Sequence, residues 1–155
     1  MPTRILDSTD SLKELVGQEL AVTDWFQVTQ ERIQQFADAT LDHQWIHVDV
    51  ERARRESPFR APIAHGFLTL SLLPHFIHEA LEIKRGVRLG VNYGLNRVRF
   101  VSPVREGSNI RARIALQSLK DVASNALEVI FTATVEVEGG EKPCCVAEWI
   151  ARYYR

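Results

Sequence analysis

The spacing of hydrophobic and polar positions divides the chain into a helical first half and a stranded second half. Asp10 to Val16 reads as a short helix, with Asp10 as its cap and Gly17 as its stop. Leu20 to Val28 reads as a strand. Thr29 can cap a second helix, whose apolar positions Ile33, Phe36 and Ala37 fall with Thr40 on one face. The next stretch, TLDHQWIHVD, has no clean period, and Asp49 can cap a third, highly charged helix that ends before Pro58. The proline-bounded loop SPFRAPIAHG then leads into GFLTLSLLPHFIHEAL, which is apolar on nearly all sides. A helix of that kind is buried rather than laid on a surface. Pro74 should kink it or cap a segment of it.

From Val87 the period becomes two. Val87 to Val101 is one long strand region, in which Gly90 and Gly94 suggest bulges or a close approach of another backbone. Pro103 to Ser108 makes a turn. Ile110, Ala112, Ile114 and Leu116 then alternate with Arg111, Arg113 and Ala115. Leu127, Val129, Phe131, Ala133, Val135 and Val137 alternate in the same way with Glu128, Thr132, Thr134 and Glu136. Such alternation marks half-buried antiparallel strands. Gly139-Gly140 is a hairpin turn, and Pro143 to Tyr154 is the closing strand. Helices first, one of them apolar all round, followed by an antiparallel meander, predict an α+β fold in which a sheet wraps a central helix.

Composition narrows this picture without redirecting it. The chain has 155 residues, the size of one domain spanning 1–155, and 45% of them are hydrophobic, enough for a real core. A formal net charge of −1 gives no field that would draw a nucleic acid or an anionic membrane. The modest basic cluster Arg52, Arg54 and Arg55 reads as a solvated helix face. The opening MPTRILDSTDSLKEL lacks the apolar core of a signal peptide, and the apolar stretch from Gly66 to Leu73 is too short to span a bilayer. The expectation is a soluble, cytoplasmic protein. Cys144 and Cys145 are adjacent, so strand geometry argues against a disulfide between them, and both read as packing residues.

Two segments carry candidate chemistry. In Asp42-His43-Gln44-Trp45-Ile46-His47 the aspartate and the second histidine stand five apart. On an ideal helix they would lie roughly 140° apart around the axis and share no face. They converge only if the segment is a loop leaving one helix and entering another. A carboxylate and an imidazole meeting there can hold a water and exchange protons with a substrate. On the spacing alone, a helix-capping Asp and a surface His is the favoured reading. In Pro62-Ile63-Ala64-His65-Gly66-Phe67 the glycine opens the buried helix, where its N–H is free and can serve a developing oxyanion. A glycine that merely permits tight packing is the alternative there. Metal ligation would draw on His43 with His47, or His75 with His78, each pair at helical spacing. No cysteine or carboxylate set visible in the sequence completes either pair, so no metal site is expected.

FADATLDHQWIHVD followed by SPFRAPIAHGFLTLSLLP resembles the hydratase-2 motif of MaoC-like dehydratases, within the group of nodulation protein N-like proteins, and VNYGLNRVRFVSPVREGSNI is similar to the same group. The resemblance implies a hot-dog fold assembled as a homodimer. It implies (R)-specific hydration of trans-2-enoyl-CoA to (R)-3-hydroxyacyl-CoA, or the reverse dehydration, with no metal or organic cofactor beyond the coenzyme A that the substrate carries. The family's catalytic aspartate falls on Asp42, its histidine on His47, and the glycine that binds the thioester oxygen on Gly66. Many relatives have Asn-Pro where this chain has Gln44-Trp45, so the amide of Gln44 stands where an orienting Asn is expected. Two other functions share the fold. A hot-dog thioesterase needs a carboxylate on the central helix, where only Glu79 is available, near the far end. A non-catalytic acyl-CoA-binding module is disfavoured by an intact Asp42, His47 and Gly66.

Overall fold

The structure, a computed structural model, describes residues 2–155. Strand β1 (Arg4–Ser8) runs into a 3-10 helix (Thr9–Leu15), followed by β2 (Glu19–Val22) and β3 (Phe26–Gln27). Helices α1 (Gln30–Thr40), α2 (Trp45–Val48), α3 (Val50–Glu56), α4 (Gly66–Ser71) and α5 (Leu73–Ala80) come next. Strands β4 (Leu81–Arg85), β5 (Leu89–Arg99), β6 (Asn109–Ala123), β7 (Ala126–Val137) and β8 (Cys145–Tyr154) complete the chain. The main sheet is antiparallel in the order β2-β6-β7-β8-β5, with β3 also paired to β6. This is the hot-dog α+β architecture: the sheet curls about α4 and α5.

The period-two pattern sets which face meets the helix. Ile110, Ala112, Ile114 and Leu116 of β6 and Val129, Phe131, Ala133 and Val135 of β7 are buried, as are Ala147, Trp149 and Ala151 of β8. They form one cluster with Leu68, Leu72, Leu73, Phe76 and Ile77 of the central helices. Register follows from burial, because a slip of one residue would turn every one of these side chains to solvent. The β7–β8 connection turns at Gly139, whose φ of 78° lies in the left-handed region that glycine enters without a Cβ clash.

Several elements differ from the sequence expectation. The first helix is a 3-10 turn capped at Ser8 rather than Asp10. The strand predicted over Leu20–Val28 is broken between β2 and β3, where the Thr23 hydroxyl accepts from Ala112 N–H at 2.9 Å and so stands in for a ladder bond. The apolar helix divides at Leu72, with Pro74 in the first turn of α5 where its missing N–H costs nothing. It is also less enclosed than its composition suggests, since Phe67 is 66% exposed. β4 was not foreseen; it pairs in parallel with β1, through Arg4↔Leu81 and Ser8↔Arg85. β5 forms the sheet edge, bulged at Asn92/Gly94 and Leu95/Arg97, with Leu89, Val91, Tyr93 and Leu95 exposed along it. Cys144 and Cys145 are both buried thiols, and burial pushes them up to about 12 and about 11. No helix among the described residues is long and apolar enough to cross a membrane.

Candidate active site

The loop between α1 and α2 delivers the first half of the site. Thr29 caps α1 by accepting from Arg32 N–H at 3.2 Å, and Ile33 and Ala37 bury its inner face. The helix stops because Leu41 adopts a left-handed conformation, φ 63° and ψ 25°, a sparsely populated state for a non-glycine residue. The chain therefore turns off the helix axis at Asp42. Its carboxylate accepts from Gln44 N–H at 3.4 Å, and the side chain is 52% exposed. The main chain of Gln44 makes this contact; its side chain is exposed.

His47 sits in α2 and is buried, at 7% exposure. Its Nδ1 lies 2.6 Å from the carbonyl oxygen of Ile63. A carbonyl only accepts, so Nδ1 carries the proton and Nε2 keeps a lone pair. Gln30 donates from Nε2 to the His47 carbonyl at 2.7 Å, and Ile63 N–H donates to the Ile46 carbonyl at 3.0 Å. The ring is thus fixed by the Ile63 carbonyl, and the backbone that carries it by Gln30 and Ile63 N–H. Burial lowers the His47 pKa, the Ile63 carbonyl opposes this, nearby His65 lowers it further and Asp42 raises it. The resulting value is below the usual imidazole range, which keeps His47 neutral near pH 7.

The second half comes from the loop before α4. His65 is 3% exposed, and its Nε2 lies 3.0 Å from the Asp42 carbonyl oxygen and 4.0 Å from Asp42 Oδ2. Its ring stacks on that of His47, with centroids 3.8 Å apart and planes at 22°, and meets Phe36 at 4.9 Å. Asp42, His47 and His65 each place one oxygen or nitrogen so that all three atoms fall within 4.8 Å of one another. Two imidazoles and a carboxylate are a donor set that divalent metals accept. Here the His65 nitrogen near the carboxylate bears the proton that bonds the Asp42 carbonyl, so it offers no lone pair to a metal. Asp42 and the free nitrogen of His47 remain as acceptors for a water between them.

Gly66 begins α4, directly after His65, so its N–H has no intrahelical carbonyl to bond. A Cβ at this position would lie 2.9 Å from both Cγ and Cδ2 of Phe100. Phe100 therefore needs a glycine beneath its ring. A cavity of about 330 Å³ opens here, lined by Ile63, Gly66, Thr69 and Phe100 among others. A second, of about 370 Å³, runs between the central helices and β5, past Leu73, Pro74, Tyr93 and Trp149. Asn92 borders it and accepts from Trp149 Nε1 at 3.0 Å.

The family described as MaoC like domain matches residues 11–138. The chain belongs to the MaoC-like dehydratase family. Over 150 residues it is 49% identical to 3-hydroxyacyl-thioester dehydratase Z of Mycobacterium tuberculosis (strain H37Rv), covering 97% of this chain and 98% of that protein. It is 46% identical to Nodulation protein N of Rhizobium meliloti (strain 1021), covering 93% and 89% respectively. Among solved structures, the unliganded R-hydratase PhaJ1 from Pseudomonas aeruginosa superposes with a TM-score of 0.70 at 22% identity, over 90% of this chain and 82% of that one, which shows a common fold.

Within this MaoC-like site, Asp42 and His47 meet as a loop geometry requires, and Gly66 follows on from the ring that touches both. Two of the histidines at helical spacing are engaged elsewhere. His43 bonds Asp38 at 2.9 Å, and His75 packs against Phe26 and Phe76. Sequence reasoning missed His65 and Gln30. His65 could have been found, because it precedes Gly66 in the same motif; nothing local distinguishes Gln30.

Proposed function

We propose that this protein is an (R)-specific enoyl-CoA hydratase, adding water to trans-2-enoyl-CoA and running the dehydration in reverse. A hydro-lyase acting on 3-hydroxyacyl thioesters is the activity that its MaoC-like membership and its 49% identity to the mycobacterial dehydratase support. The observation that carries the finer reading is the meeting of Asp42 with a buried, neutral His47 whose Nδ1 is committed to Ile63. One water bridges the Asp42 carboxylate and His47 Nε2 and faces C3 of the substrate. As its oxygen adds to C3, its proton passes to one of the pair, and a proton is delivered to C2 from the same side. Gly66 N–H stabilises the enolate-like thioester oxygen that develops meanwhile. The Gln44 amide is assigned a supporting role at the mouth of the site, where its side chain is exposed.

The exposed apolar edge of β5 supports a homodimer, since an unpaired edge of this length is covered in stable proteins. We place the protein in the cytoplasm, where two buried, unbonded thiols are at home. The test is hydration of crotonyl-CoA and longer enoyl-CoAs, beside the matching acyl-carrier-protein thioesters, with the chirality of the product determined. (R)-3-hydroxyacyl-CoA is the expected product. Release of free coenzyme A would instead mark a thioesterase, and binding without turnover an acyl-CoA-binding module.

A further inference from the structure

The two loops that build the site are joined by a reciprocal clasp. His47, on the first loop's short helix, donates to the Ile63 carbonyl of the second. His65, at the end of the second loop, donates back to the Asp42 carbonyl of the first. The two imidazoles stack where these bonds cross. Asp42 needs such an anchor. It follows a left-handed Leu41, its side chain is half exposed, and the bond to Gln44 N–H is long. His65 also shares the peptide unit that carries the Gly66 N–H. One residue therefore contacts the acid and the base through its ring and supplies the carbonyl half of the peptide that carries the Gly66 N–H.

We propose that His65 is a positioning residue that sets the distance between Asp42 and His47 and the placement of the Gly66 N–H. This rests on the hydratase reading given above. A further observation separates it from packing alone. The other nitrogen of His65, Nδ1, is buried with no hydrogen-bond partner among the described residues. A histidine kept only for stability would have its acceptor satisfied or be replaced by an apolar side chain of similar volume.

The test compares His65→Gln with His65→Asn. Both introduce an amide, but only the longer one places an N–H where Nε2–H now reaches the Asp42 carbonyl. With crotonyl-CoA as substrate, His65→Asn lowers kcat about a hundredfold, the scale expected when reacting groups are misplaced by about 1 Å. KM stays within about threefold, because ground-state binding is untouched. His65→Gln recovers most of the rate. Equal impairment of the two folded variants, or full activity of His65→Asn, overturns the proposal. Crystal structures of both variants give a reading independent of turnover. The Asp42 loop keeps its place in His65→Gln and shifts away from His47 in His65→Asn. An unmoved Asp42 in His65→Asn also overturns the proposal. If the wild-type protein hydrates no enoyl thioester, the hydratase reading fails, and the structures still decide whether His65 holds the pair.

Discussion

Gly66→Ala is the perturbation whose outcome the geometry constrains most tightly. The new methyl would lie 2.9 Å from both Cγ and Cδ2 of Phe100 and 3.1 Å from Cδ1. Carbon atoms in contact prefer about 3.5–4.0 Å, so several pairs overlap by roughly half an ångström or more. Rotation about χ2 does not relieve this, because Cγ lies on that axis; the ring must swing at χ1 or the start of α4 must move. Overpacking of this kind costs about 1–3 kcal/mol. Phe100 is 44% exposed and has solvent to move into, which places the cost at the low end. Gly66 has no positive φ, so alanine recovers about 0.4–1 kcal/mol by restricting the unfolded chain. The net destabilisation is about 0–2 kcal/mol, a fall in Tm of up to about 8 °C for a domain of this size. Alanine keeps the backbone N–H, so activity falls only as far as the collision displaces it; a donor moved out of range costs up to about 10²–10³ in kcat. The assay is the decay of enoyl-thioester absorbance, run on Gly66→Ala, Phe100→Ala and the double variant. If the methyl acts by colliding with the ring, Phe100→Ala restores much of the lost rate in the Gly66→Ala background. A Gly66→Ala enzyme with wild-type kcat would refute displacement of the N–H by the methyl. A loss that Phe100→Ala leaves unchanged would refute the steric route to it.

Asp42→Asn should leave the melting temperature nearly unchanged, since the carboxylate is half exposed and makes one long bond, while hydration falls by about 10²–10⁴; a fully active variant would falsify its assignment. The pH dependence of stability should carry a His47 signature. Burial depresses its folded pKa, so the unfolded chain binds the proton more tightly. The stabilisation is complete above the ordinary imidazole value of about 6.5 and is lost as pH falls from there towards the folded value. His47→Asn, whose amide keeps a donor for the Ile63 carbonyl, should flatten that loss in urea titrations between about pH 7 and 5, and identical slopes would argue against a depressed His47. Val91→Lys, on the exposed edge of β5, should convert a dimer to monomer in sedimentation without unfolding it, and a monomeric wild-type protein at micromolar concentration would remove the basis for the edge interface.

The strands were the most legible part of the fold, for a physical reason. β6 and β7 bury one face and solvate the other, so their burial is written directly into the alternation from Ile110 to Leu116 and from Val129 to Val135. β8 was recovered with its end near Tyr154. The pairing of β1 with β4 left no comparable mark. Each has five residues, too few to establish a period, and their contact joins segments at opposite ends of the helical region. The break after β2 was hidden too, because Thr23 supplies by side chain a bond that the sequence would assign to main chain. Exposure of Phe67 and of the β5 edge cannot be read from the hydrophobicity of either segment, which would serve a second copy of the chain as well as an internal core.

The site divides along a different line. Asp42, His47 and Gly66 are singled out by the hydratase-2 resemblance, where spacing alone favours a helix cap and a surface histidine. The groups that hold them in place are mostly main-chain carbonyls: Ile63 for His47, Asp42 for His65, and His47 itself for Gln30. Every residue has such a carbonyl, so no residue type announces the partner. Side-chain sets at helical spacing, His43 with His47 and His75 with His78, are therefore a misleading guide, since only a shared helix face would join them. The left-handed turn at Leu41 places His43 ahead of α2, where it bonds Asp38, and leaves His47 to stack on a histidine from the other loop. At Gln44-Trp45, where the resemblance leads to an expected Asn-Pro, the contact to Asp42 is again a main-chain one. The observed contact to the Asp42 carboxylate comes from the Gln44 backbone N–H, which any residue but proline supplies, and Trp45 turns its ring to Arg52, whose guanidinium lies 4.1 Å from the ring centroid.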